Sequence, residues 1–168
     1  GPVVGTLMTN YAMELHCQQQ SIPFIRTSVG DRFVYQALTE HGGVLGGEAS
    51  GHLLVLDKTS TGDAIVAALQ ELEALTLQDI SLQVALENYI PFPQKTVNVR
   101  LTPGIKPLQN EAVIAARASA EQQLLGRGRL VLRASGTEPV VRVTVEANDA
   151  DLMEQVLASL SAVVQAVV

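Results

Sequence analysis

Apolar and polar positions change their spacing along this chain, and the changes mark its elements. "VVGTLMTN" (3–10) is an apolar run that ends in polar residues, as a buried strand does. "YAMELHCQQQ" then reads as a helix and "IPFIRTSV" as a second strand, with Pro23 near its start. "GDRFVYQALTEHGG" is a turn leading into a helix. Phe33, Ala37 and Leu38 have helical spacing, and Gly42-Gly43 ends the segment. "VLGGEASGHLLVLDK" has apolar residues on both sides of a glycine turn, which predicts two strands joined there. "STGDAIVAALQELEALT" opens with hydroxyl and Asp capping candidates and repeats Ile65, Leu69, Leu72 and Leu75 on one helical face. "SLQVALENY" predicts a further short helix. This alternation of strand and helix predicts an α/β layered domain over residues 3–88, an α/β/α arrangement around a mixed sheet.

The pattern breaks at "YIPFPQKT". Two prolines within three residues favour extended backbone, so residues 89–95 read as a hinge linker. A second domain, 96–168, follows. "TVNVRL" alternates as a strand, and "LQNEAVIAARASAEQQLL" is a helix with Val113, Ala116, Ala120 and Leu124 on one face. "GRLVLRAS" and "VVRVTVEA" alternate with period two. A last helix follows the acidic cap candidates of "NDAD", with Met153, Val156, Leu157, Leu160, Val163, Val164 and Val167 on its apolar face. The order β-α-β-β-α predicts a small two-layer α+β domain.

Composition narrows the function classes. Of 168 residues 47% are hydrophobic and only 4% aromatic, so the cores should be aliphatic. The net charge of −6 argues against nucleic acid and anionic membrane surfaces as partners, since both require a broad basic face. No apolar run approaches the roughly 18 residues that span a bilayer, and no signal peptide is visible. One cysteine, Cys17, allows no disulfide framework, which fits a reducing cytoplasm.

Against that acidic background, "RGRLVLRASGTEPVVRV" (127–143) gathers four arginines around a polar glycine turn. Alternation puts Leu130 and Leu132 on one side and Val131 and Arg133 on the other. In the next strand Val141, Val143 and Val145 oppose Arg142 and Thr144. Arg133 and Arg142 should therefore leave the core at the two feet of the turn. Ser135 and Thr137 supply hydroxyls, and Gly136 permits a positive φ from which successive N–H groups can form an anion nest. Arginine forks and converging donors suit a phosphate dianion. Glu138 opposes an anion unless it turns away to hold the loop. The same residues also suit an ordinary hairpin turn with solvated arginines, and residue types alone leave both readings open. The pattern of a P-loop is absent.

In "GGEASGH" (46–52), Glu48, Ser50 and His52 occupy alternate positions. Extended backbone would project all three to one side, where a carboxylate can accept from two neighbouring hydroxyls of a sugar. The alternative is a tight turn with one capping acid. His16 and Cys17 are adjacent on a helix and share no face, His41 sits at a helix C-terminus, and Asp149 and Asp151 read as caps. No His or Cys cluster has zinc spacing, so no metal site is expected.

"GGEASGH", "LDKTSTGD", "FPQKTVNVR", "GRGRLVLRASGTEP" and "VVRVTVE", in that order, resemble the C-terminal half of the α-D-phosphohexomutases, in particular the bacterial members that act on glucosamine phosphate. "VVGTLMTN" and "SVGDRFV" are similar to that pattern too, so the resemblance covers nearly the whole chain. It implies a third domain whose sugar-binding loop is matched by Glu48, Ser50 and His52, with Gly30, Asp31 and Arg32 also bordering the substrate. It implies a fourth domain, TATA-binding-protein-like, whose phosphate-binding loop is matched by Arg133, Ser135, Gly136, Thr137 and Arg142. In the family, four domains surround one cleft.

The implied activity is an isomerase interconverting glucosamine 6-phosphate and glucosamine 1-phosphate through a bisphosphate, toward UDP-N-acetylglucosamine and peptidoglycan. A phosphoserine supplies the phosphoryl group, with magnesium (Mg2+) as cofactor. The family's Ser-Ala-Ser-His-Asn-type loop and its Asp-Gly-Asp metal loop do not occur in these 168 residues. The resemblance thus implies a fragment: most of the third domain, the hinge and the complete fourth. That fragment should contain no catalytic residues, bind no metal and be inactive alone. Ala134 and Ser28 stand where the family commonly has lysine, each removing a positive charge. A phosphomannomutase or phosphoglucomutase fragment, or a non-catalytic module that forms a homodimer, are the alternatives.

Overall fold

The computed structural model describes residues 1–136 and 138–168, which fall into two compact units, Gly1–Pro91 and Phe92–Val168. The first unit runs β1 (Val3–Thr6), α1 (Tyr11–Gln19), β2 (Phe24–Thr27), α2 (Asp31–His41), β3 (Leu45–Gly47), β4 (Leu53–Val55), α3 (Ala64–Gln78) and α4 (Leu82–Leu86). Its described strands form one mixed sheet in the order β2-β1-β3-β4, with β1 parallel to both neighbours and β3-β4 an antiparallel hairpin. From β1 the chain crosses to one side through α1, then from β2 back over β1 through α2. Right-handed crossovers in opposite directions put these two helices on opposite faces of the sheet. The expected layered α/β architecture is present.

The core of this unit is Val4, Val34, Ala37, Leu38 and Leu54, with Ile25 and Leu56 packed against it. Two sequence expectations are corrected here. Val34, not Phe33, joins Ala37 and Leu38 on the inner face of α2; Phe33 lies at its edge under the guanidinium of Arg32, 4.5 Å from the ring centroid. The stripe Ile65, Leu69 and Leu72 of α3 does not face the sheet but is exposed. The helix turns its narrow side inward instead. Ala67 is its buried residue, and an alanine edge lets the axis approach β4 closely. Asp63 caps that helix, its Oδ1 accepting from the amides of Ile65 and Val66 at 2.9 and 3.0 Å.

The second unit runs β5 (Gln94–Arg100), a 3-10 turn at Pro107–Gln109, α5 (Glu111–Leu124), β6 (Gly128–Ala134), β7 (Val140–Ala147) and α6 (Ala150–Gln165). Its strands are antiparallel in the order β5-β7-β6. One face of the sheet is aliphatic: Val99, Val141, Val143, Val145 and Ala147 pack on Val113, Ala120 and Leu124 of α5 and Met153, Val156, Leu157, Leu160 and Val164 of α6. Asp149 caps α6 through Leu152 N–H at 2.8 Å, as its position predicted. The β-α-β-β-α reading holds, with each helix presenting the face its periodicity marks.

Candidate functional site

In the first unit the site residues collect at one edge of the sheet. The chain leaves β1 and β2 in opposite directions, so the strand order reverses between β1 and β3, the point at whose carboxyl edge α/β sheets place their ligands. The loops at that edge are Leu7–Asn10, Ser28–Gly30 and Glu48–His52. The extended arrangement expected for Glu48, Ser50 and His52 is not found. Gly51 N–H donates to Glu48 O at 3.0 Å and Glu48 N–H to His52 O at 2.9 Å, closing a tight turn over residues 48–51. Gly51 takes φ +91°, a conformation that side chains with a Cβ rarely adopt. With residues 49–51 curled into this turn the backbone is not pleated, so the alternation that would align the three side chains is lost. Ser50 and His52 are exposed, and His52 lies beside a cleft of about 290 Å3 bounded by Leu53, Ala64, Ala67 and Glu71.

Glu48 is brought instead to the second predicted loop. Its Oε1 accepts from Gly30 N–H at 2.8 Å, where Gly30 caps α2 with φ +132° and no side-chain cap of its own. The carboxylate therefore serves as the cap of a neighbouring helix, favoured by the partial positive charge there. Asp31 Oδ1 accepts from Arg32 N–H at 2.7 Å. Gly30, Asp31, Arg32 and Glu48 thus form one neighbourhood, with Arg32 held against Phe33.

The sequence reading missed Arg26. From β2 its Nε donates to Glu14 Oε2 at 2.7 Å, and Nη1 donates to the carbonyls of Thr6 and Thr9 at 2.9 and 2.6 Å. The side chain is 16% exposed and lies over Phe24. It fixes the start of the Leu7–Asn10 loop against β2. A charge within an otherwise apolar strand was the available signal, because a buried guanidinium needs partners.

In the second unit the face of the sheet away from the helices is polar, and its register is explicit. Arg129 pairs with Glu146, Thr144 with Thr96, and Arg142 lies between Arg133 and Asn98. Glu146, 2% exposed, forms an ion pair with Arg129, so that arginine is committed to the fold. The hydroxyls of Thr96 and Thr144 meet at 2.8 Å. Arg133 and Arg142 are left directly opposite each other at the feet of the turn. Ser135 N–H donates to Val140 O at 2.9 Å, and Ser135 Oγ accepts from Glu138 N–H at 3.3 Å. Glu138 does not turn away: Arg142 Nη2 donates to its Oε2 at 3.0 Å, so the carboxylate stands at one of the two arginines that flank the turn. Gly136 does not use a left-handed φ, contrary to the expectation. What its missing side chain leaves is open space, with nothing within 4 Å of where a Cβ would stand. Thr137 lies outside the described residues. Asn98 was also missed, although the alternation of "TVNVR" places it on this polar face.

Among the described residues no three His, Cys, Asp or Glu side chains converge to hold an ion. No helix among the described residues is long and apolar enough to cross a membrane. Burial, and then the nearby Glu14 carboxylate, push the Cys17 thiol pKa up.

Residues 1–92 match the family described as phosphoglucomutase/phosphomannomutase, alpha/beta/alpha domain III, and residues 97–163 match phosphoglucomutase/phosphomannomutase, C-terminal domain. The chain is 58% identical over 167 residues to the phosphoglucosamine mutase of Xanthomonas euvesicatoria, covering 98% of this chain and 37% of that protein. It is 54% identical over 166 residues to the phosphoglucosamine mutase of Xylella fastidiosa, with the same coverages of 98% and 37%. A solved structure of Aspergillus fumigatus N-acetylphosphoglucosamine mutase shares the fold at TM-score 0.78 and 20% identity, over 99% of this chain and 38% of that one. Another, of the fungal enzyme in complex with GlcNAc-6P and magnesium, gives 0.76 at 20% identity, over 99% and 39%. The chain spans a little over a third of the length of the curated relatives it matches. Two consecutive domain matches on this sheet order and this arginine-flanked turn place it: the chain belongs to the phosphoglucomutase/phosphomannomutase family, the α-D-phosphohexomutases.

Proposed function

We propose that this chain is the sugar- and phosphate-binding part of a cytoplasmic phosphoglucosamine mutase. That enzyme interconverts glucosamine 6-phosphate and glucosamine 1-phosphate through a bisphosphate, for UDP-N-acetylglucosamine and peptidoglycan synthesis. The observation that carries this is the direct cross-strand pairing of Arg133 with Arg142. Like charges set opposite each other in a sheet cost up to about 1 kcal/mol, so such a pair suits a fold that receives an anion there. Ser135 and the bare backbone at Gly136 add donors on the same turn. The sugar end is assigned to Glu48 and Gly30 with Asp31, Arg32, Ser50 and His52. In phosphoryl transfer, positioning and charge neutralisation supply most of the catalysis. These residues bind and orient one phosphate and the sugar; the phosphoserine and magnesium loops of the family lie outside these 168 residues, which alone bind without turnover.

The test is an NMR titration of the chain with glucosamine 6-phosphate, glucose 6-phosphate and mannose 6-phosphate. Shifts at Arg133, Ser135 and Gly136 with all three, and the largest shifts at Gly30 and Glu48 with the glucosamine compound, are the expected result. Shifts confined elsewhere defeat the assignment. A second reading, self-association as a homodimer, is favoured by one observation: Ile65, Leu69, Leu72 and Leu77 of α3 are all exposed. Light scattering after size exclusion decides it, a monomer mass at high concentration ruling it out.

A further inference from the structure

We infer that Arg100, at the end of β5, is a third arginine of the phosphate site, so that the anion is held from all three strands of the sheet. This deepens the reading of the turn as a phosphate site and rests on it. Register fixes where Arg100 stands. Val99 is buried in the aliphatic core, so alternation turns Asn98 and Arg100 to the polar face with Thr96, whose hydroxyl meets that of Thr144. Arg100 pairs with Val140, which makes Arg142 its diagonal neighbour across the strands. Such neighbours lie roughly 7–8 Å apart at the backbone, within reach of long side chains. The pairing runs one residue further, Leu101 N–H donating to Pro139 O at 2.7 Å, so this end of β5 is held against the foot of the turn.

Charge divides the polar face into two halves. Toward Glu146 it is satisfied internally, by the ion pair with Arg129 and by the two threonine hydroxyls. Toward the turn, Arg100, Arg142 and Arg133 stand on three adjacent strands with one carboxylate, Glu138, at Arg142. Arg100 is exposed, and neither it nor Arg133 has an ion-pair partner among the described residues. Three arginines against one carboxylate leave two positive charges, and a phosphate monoester carries about −1.5 to −2 at neutral pH. Without Arg100 the balance at the turn falls to one positive charge, too little for a dianion. The outer strands β5 and β6 stand roughly 10 Å apart across β7. Arg100 and Arg133 can therefore close from opposite sides on an anion seated over β7.

The experiment titrates glucosamine 6-phosphate, by calorimetry and NMR, into the wild-type chain, Arg100→Gln, Arg100→Lys and Arg117→Gln. The last removes the same charge from α5, on the aliphatic side of the sheet, where Arg117 pairs with Glu121. Arg100→Gln should bind about tenfold more weakly, the low end for a hydrogen bond to a charged group. Arg100→Lys keeps the charge but not the fork and should fall between Gln and wild type. Arg117→Gln should bind as wild type does. Unmoved amides of Val143 and Val145 before ligand is added show that each variant is folded; if Arg100→Gln is not, the Lys variant carries the test, and wild-type affinity there overturns the inference. Wild-type affinity in a folded Arg100→Gln, with ligand shifts still at Ser135 and Gly136, overturns it and leaves the phosphate site standing. An equal loss in Arg117→Gln also overturns it, because net charge alone then accounts for the effect. No shift at Ser135 and Gly136 in the wild-type chain removes the phosphate site and this inference together.

Discussion

The carboxylate of Glu48 accepts the amide hydrogen of Gly30 at 2.8 Å, tying the β3-β4 turn to the start of α2. One residue thereby joins two loops eighteen positions apart in sequence and completes a helix that lacks its own cap. Glu48→Ala should lower stability by about 1 kcal/mol, the usual worth of a cap, measured as a drop in the urea midpoint with an unchanged slope. Glu48→Gln, whose amide oxygen still accepts, should recover most of that stability. No recovery by Gln would mean that charge at the helix N-terminus, not the hydrogen bond, holds the loops together.

Removing Arg26 should be far more damaging. Arg26→Met leaves the Glu14 carboxylate partly buried and the carbonyls of Thr6 and Thr9 without this donor, a loss of about 3–5 kcal/mol by analogy with broken buried pairs. Arg26→Lys keeps the charge but cannot fork to three acceptors, so it should fall between the two. Urea unfolding followed by circular dichroism gives both values.

How far the fold was legible follows from these cases. The second unit was readable almost residue by residue, because its strands carry aliphatic side chains on one face and polar ones on the other in clean alternation, and α6 carries a full apolar stripe. The α3 stripe misled because periodicity shows that a helix has an apolar face but not which neighbour covers it. Here Ala67 is the residue that α3 buries. Glu48, Ser50 and His52 were grouped by spacing, and the spacing argument failed because the turn residue Gly51 curls the backbone. The pairing of Arg133 with Arg142 was foreseeable from alternation, whereas its exact register is set by seven cross-strand partners that no local window contains.

The two units have separate cores, so their stabilities should be separable by mutation. Leu157→Ala removes a buried side chain from the second unit and should destabilise that unit by about 2–5 kcal/mol. Hydrogen exchange should then speed up at Val143 and Val145 while Val34 and Leu38 keep their protection. Equal loss of protection in both would show that they unfold as one.

Cys17 gives a pH-dependent reading. Its buried thiol has a raised pKa, so the fold favours the neutral form. The stability linked to this group is complete below the thiol's unfolded pKa and is lost as pH rises through the higher folded value. The urea midpoint of the wild-type chain should thus decline in alkaline buffer more steeply than that of Cys17→Ala. A thiol reagent at neutral pH should react slowly until the first unit unfolds.

The measurement closest to the central claim is a pair of titrations with glucosamine 6-phosphate, on the wild-type chain and on Arg133→Ala, read at the amides of Ser135 and Gly136. The account predicts saturable shifts in the wild type that vanish or weaken at least tenfold in the variant, since a charged hydrogen-bonding partner contributes about 1.5–3 kcal/mol, with the amides of Val143 and Val145 unmoved in both. Equal shifts in the two proteins, or equal shifts with unphosphorylated glucosamine, would contradict it.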